Sequence, residues 1–140
     1  MAAPTINAIR EALATRLGNI ADTQVSAYAL SNPTPPALQI VGAEIEYDVT
    51  MGAGANGGLQ LKIQGLVGLP TDIGAQKLLG SYSDHRGSKS VYAAVAADHT
   101  LGGVVLHANV ISASEEQIYT TDRGAYIGRE WIVEILAPGA

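Results

Sequence analysis

Residues 51–58 read MGAGANGG, and from Gly52 to Gly57 they contain a literal G-x-G-x-x-G. In a dinucleotide-binding fingerprint the glycines let backbone amides approach a pyrophosphate at the N-terminus of the helix that follows. Here Leu59-Gln60-Leu61-Lys62-Ile63-Gln64 follows instead, and its apolar and polar side chains alternate with the period of two that marks a strand. The preceding segment alternates as well: Ile45, Tyr47, Val49 and Met51 share one face, and Glu44, Glu46, Asp48 and Thr50 share the other. The glycines therefore join two antiparallel strands as a long hairpin from about Glu44 to Leu69. Gly52, Gly54, Asn56, Gly57 and Gly58 form its tip, and Asn56-Gly57 supplies the residues a tight turn favours.

Outward from this hairpin, each side has a helix. Upstream, Ile6, Ile9, Leu13 and Leu17 step by three or four residues, predicting a helix from about Thr5 to Leu17 with Gly18 at its C-cap. Val25 to Leu30 reads as a strand, residues 31–36 as a proline-stiffened turn, and Ala37 to Val41 as a short strand. Downstream, Pro70 closes the hairpin, and Thr71 or Asp72 caps a helix carrying Ala75, Leu78, Leu79 and Tyr82. A short helix around Val91, Ala94 and Val95 ends near Asp98. A strand from Val104 to Ala113 is expected to bury Val104, Leu106, Ala108 and Val110, and one from Ala125 to Leu136 to bury Ile127, Trp131, Val133 and Ile135. This order predicts one α+β domain over residues 1–140, an antiparallel or mixed sheet with helices packed on one face.

Composition narrows the function. In 140 residues there is no cysteine, which excludes disulfides, thiolate nucleophiles and cysteine-based zinc sites. A formal charge of −5 with scattered basic residues opposes nonspecific nucleic-acid affinity. No apolar run has the length of a membrane span, and Asn7, Arg10 and Glu11 interrupt what would be a signal-peptide core, so a protein made without export is expected. Phenylalanine is absent, leaving Ile, Leu, Val, Trp131 and some tyrosines to build the core.

Chemical motifs fail one by one. Gly87-Ser88-Lys89-Ser90 lacks the Gly-Lys pair of a phosphate loop and reads better as a helix cap by Ser88 or Ser90. His85, His99 and His107 have no metal-ligand spacing: His85 and His99 belong to solvated loops, and His107 points off the apolar face of its strand. Glu44 with Glu46 shares the polar side of a strand, and Glu115-Glu116 lies in a loop; neither makes a defensible acid-base pair. No catalytic, cofactor-binding or metal residue is expected.

Taken in order, INAIREALATRL, NPTPPALQIV, EIEYDVTMGAGANGGLQLKIQGLVG, KLLGSYSDHRGSKSVYAAVAADHTLGGVVLHANV and YIGREWIVEILA resemble the tail terminator, or tail-to-head joining, proteins of long-tailed bacteriophages with non-contractile tails. The resemblance spans nearly the whole chain and is most specific from Ser88 to Val110. It implies a structural virion subunit, not an enzyme, that forms a homohexameric ring on the tail tube protein, stops elongation and joins the connector or stopper protein of the head. Genome DNA would pass its lumen without specific binding. It would lie at the head-proximal end of the virion tail after assembly in the host cytoplasm, with no cofactor and no membrane partner. The hairpin tip would be an assembly arm reaching a neighbouring subunit or the tube. Another neck or head-completion protein, or an unrelated ligand-binding α+β module, are the alternatives.

Overall fold

The computed structural model describes residues 5–20, 23–29, 35–46, 57–121 and 124–137. Among them are three helices, α1 (Ile6–Leu17), α2 (Ile73–Ser83) and α3 (Val91–Ala96). Six strands accompany them: β1 (Gln24–Ser26), β2 (Ala37–Glu46), β3 (Gly57–Gly68), β4 (His107–Ala113), β5 (Gln117–Thr121) and β6 (Gly124–Ala137). They form one mixed sheet in the order β1-β2-β3-β6-β4, with β5 also paired to β6. Only the β1–β2 pair is parallel. The α+β class expected from the sequence is the fold observed.

The long hairpin is the centre of the sheet. β2 pairs with β3 from Ala37↔Leu66 to Glu46↔Gly58, and β3 pairs with β6 from Gly57↔Ala137 to Gly68↔Ile127. The sequence divides β2 into two pieces, but the chain bridges them with a bulge between Ile40 and Gly42. That extra residue changes which parity faces inward. Leu38 and Ile40 point to the core before it, and Ala43 and Ile45 share the side of Leu61 and Leu59 after it.

The three helices cover a single face. Leu13 and Leu17 of α1, Leu79 and Tyr82 of α2, and Val91 and Val95 of α3 join one cluster with Ile40, Leu61, Ile63, Trp131, Val133 and Ala108 from the strands. Caps fix the helix starts: Thr5, Asp72 and Ser90 each accept a backbone N–H, from Ala8, Gly74 and Ala93. Two glycines permit close contact in this core. A β-carbon on Gly65 would lie 2.6 Å from Cζ3 of Trp131, and one on Gly128 would lie 2.0 Å from the Gly65 carbonyl oxygen. Trp131, 2% exposed, thus occupies a slot that a side chain on Gly65 would fill.

Three expectations are corrected. Of the strand expected over Val25–Leu30, whose last residue lies outside the described residues, the part after Ser26 is not strand, because the Ser26 hydroxyl donates to the Tyr28 carbonyl and accepts the Tyr28 N–H, turning the chain. The strand expected from Val104 starts only at His107, and it is Val105, not Leu106, that is buried. Leu101, Gly102 and Gly103 have consecutive positive φ values of 51°, 75° and 88°, and the Val105 N–H returns to the Thr100 carbonyl, so the chain turns before it extends. The loop expected after Ala113 contains β5. After Ala113↔Trp131 the chain inserts a kink at Ser114–Glu116 and resumes pairing with β6 from Gln117↔Gly128 to Thr121↔Gly124. β4 and β5 are one edge of a long hairpin with β6.

Candidate functional site

The β2–β3 and β5–β6 connections leave the sheet from opposite ends. The β2–β3 connection leaves the end marked by Glu46↔Gly58 and Gly57↔Ala137. The β5–β6 ribbon leaves the other end, continuing to Thr121↔Gly124 past the last β3 pair, Gly68↔Ile127. Of the proposed arm residues, Gly52, Gly54 and Asn56 lie outside the described residues. Gly57 and Gly58 belong to β3 and not to the tip, since Gly58 is held between Glu46 and Leu136 by ladders on both sides.

At the β5–β6 end lie the three most exposed large apolar side chains among the described residues: Leu69 at 61%, Ile73 at 68% and Ile118 at 64%. Their neighbourhood follows from register. Ile118 pairs with Ile127, and Ile127 with Gly68, so all three positions share the helix-bearing face. A β-carbon on Gly68 would sit 2.9 Å from the Ala75 β-carbon, which sets the first turn of α2 against this row. Leu69 follows Gly68 directly, and its carbonyl accepts the Asp72 N–H, so the chain turns at once into α2. No periodicity in the sequence marks these exposed side chains. The available signal was Ile118-Tyr119-Thr120-Thr121, a short β-prone run before Gly124, whose φ of 123° suits a turn.

The face of the sheet away from the helices carries a polar row, while Ala37 and Leu66 are buried further along it. Glu44, Gln60, Glu134 and Asn109 stand side by side across β2, β3, β6 and β4. With Gly58 and His107 they line a shallow cleft. Glu44 and Glu134 are two strand spacings apart, about 10 Å at the backbone. Further along this face the Gln39 amide nitrogen donates to the Gln64 side-chain oxygen at 2.7 Å. At the β5–β6 end Tyr119 lies opposite Tyr126. Burial raises the Tyr119 phenol above its ordinary pKa, with the Glu130 charge adding to it, and among the described residues its buried hydroxyl has no hydrogen-bond partner.

The remaining candidates have structural explanations. Ser90, not Ser88, caps α3 and also donates to the Asp84 carbonyl. Glu116 pairs with Arg129 at 3.2 Å, and Arg129 also donates to the Ser83 hydroxyl at 2.9 Å, tying the β5 kink to the end of α2. His85 packs on Tyr92 with ring centroids 4.3 Å apart. His99 and His107, far from any shared motif in sequence, stack at 5.1 Å with an interplanar angle of 21°. Ring nitrogens lie in the ring planes, so stacking does not aim them at one shared ion. Asp98 accepts bonds from the Thr100 hydroxyl, the Gly102 N–H and the Thr100 N–H, which hold its carboxyl below the ordinary value of 3.8. Among the described residues no three His, Asp or Glu side chains converge as a metal site, and no helix is long and apolar enough to cross a membrane. The chain matches no protein-family model, and no curated protein is found to be similar to it.

Proposed function

We propose that this chain is the tail terminator of a long-tailed phage with a non-contractile tail: a subunit of a ring that caps the tail tube, ends its growth and presents the surface that joins the head. The reading rests on the order of elements along the chain, which resembles that family from α1 through the central hairpin to β6. One observation carries it furthest. The β2–β3 and β5–β6 connections leave a single small sheet from opposite ends, and Leu69, Ile73 and Ile118 are exposed at the second of these ends, the form expected of a subunit with a neighbour at each end. In this role the acidic balance of the chain keeps phosphates from binding as genome DNA passes.

The test is native mass spectrometry with particle imaging of the purified protein and of tails. A closed ring of six 14.4 kDa chains, about 86 kDa, is expected, located at the head-proximal end of the tube. Another symmetry, or absence from the neck, rejects the proposal. The cleft lined by Glu44, Gln60 and Glu134 favours a second reading, a ligand-binding module. Small-molecule thermal shifts that depend on Glu134, in a protein that stays monomeric, would select it.

A further inference from the structure

We infer that the cleft on the open face of the sheet binds a linear aliphatic diammonium, held between the carboxylates of Glu44 and Glu134. The inference rests on the second reading above, whose ligand class it names, and it does not depend on the ring.

The cleft has a volume of about 540 Å³, within the range of small-molecule sites. Register explains its shape. Glu44, Gln60 and Glu134 stand in one row across the strands, and in the next row Gly58, which has no side chain, lies between Glu46 and Leu136. The gap above Gly58 is therefore flanked diagonally by Glu44 on β2 and Glu134 on β6, with Leu136 beside it. Both glutamates are exposed, and among the described residues neither carboxylate takes part in an ion pair or a hydrogen bond. No lysine or arginine among the described residues lines the cleft. Lys62, whose ladder partners are Gly42 and Ile132, stands on the far side of Gln60 from Gly58.

These charges favour a cation, and their spacing decides which kind. Side chains stand roughly perpendicular to a sheet, so carboxylates on β2 and β6 with Gln60 between them are held apart, about 10 Å at the backbone, instead of meeting on a single ion. Two ammonium groups joined by a short alkyl chain fit that spacing. Each end meets one carboxylate, and the methylenes cross the bare backbone of Gly58 against Leu136. Because one chain carries both ammoniums, the second contact is intramolecular and raises affinity without a further partner.

Glu44→Gln and Glu134→Gln keep the size of exposed side chains, so both proteins should melt as the parent does. Putrescine titrated into the parent at low salt should move the amide NMR signals of Gly58, Gln60 and Leu136. Saturation is expected at a concentration about tenfold or more below that needed with butylamine. Either glutamine variant should reduce putrescine to the butylamine level, while Glu115→Gln, which removes an equal charge outside the cleft, should bind as the parent does. Butylamine or magnesium chloride acting as strongly as putrescine on the same signals overturns the inference, and so does undiminished putrescine binding in the glutamine variants. Native mass spectrometry judges the ring separately. Hexamers that bind no putrescine reject the diammonium site alone, and putrescine binding by a protein that forms no ring rejects the ring alone.

Discussion

Trp131 and Gly65 are best understood together, as a large ring and the gap that admits it. Trp131→Ala removes the ring but leaves the slot, so a loss of about 3–5 kcal/mol in urea-induced unfolding is expected. Unchanged unfolding with lost assembly would instead place that ring at an interface. Tyr119 makes the opposite case, since its hydroxyl is buried and unpartnered among the described residues. Tyr119→Phe should raise stability by about 1 kcal/mol, and a measured loss would mean that the hydroxyl has a partner in solution. Asp98 adds a pH dependence with a definite sign. Its folded-state pKa is lowered, so its contribution is complete above the ordinary carboxylate pKa and disappears as the pH falls through the lowered value. The melting-temperature gap between the parent and Asp98→Ala should therefore be full near neutrality and close in acid. A gap that widens on acidification would contradict the assignment of the Thr100 and Gly102 bonds as its source.

The elements differ in how legibly the sequence wrote them. β3 and β6 were readable because each buries alternate residues for most of its length: Leu59, Leu61 and Ile63 on one, Trp131, Val133 and Ile135 on the other. α1 and α2 declared themselves by stripe and cap. The start of β4 was misread because three left-handed residues rotate the chain, and such φ values leave no period in a sequence whose middle member is one glycine among sixteen. β5 was missed for a different reason. Its pairing is supplied by β6, and its largest apolar side chain, Ile118, is left exposed, so no buried face imposed an alternating pattern. The arm was legible as a hairpin but not in extent, because ladders from β2 and β6 draw Gly57 and Gly58 into the sheet. Replacing Gly52–Asn56 with a two-residue Asn-Gly turn should leave the melting curve unchanged, since the length of a connection between paired strands changes stability little. In the proposed tail-terminator role, phage carrying that change should make tails of irregular length that fail to join heads. Normal infectious particles would show that the glycine tract has no part in assembly.

For the molecule as a whole, the central strand pair acts as a mechanical element. β3 and β6 run antiparallel side by side from Gly57↔Ala137 to Gly68↔Ile127, and the two outgoing hairpins leave from opposite ends of that pair. Their backbone hydrogen bonds lie across the strands. A pull between the two hairpins runs along the strands, so it loads the whole ladder in shear, with all the bonds sharing the force. A pull across the sheet would instead part them one after another, as a zipper opens. A ring linked through these hairpins would thus transmit tension from subunit to subunit along the stiffest direction the domain has. It would resist being widened from within far better than being peeled apart at an edge.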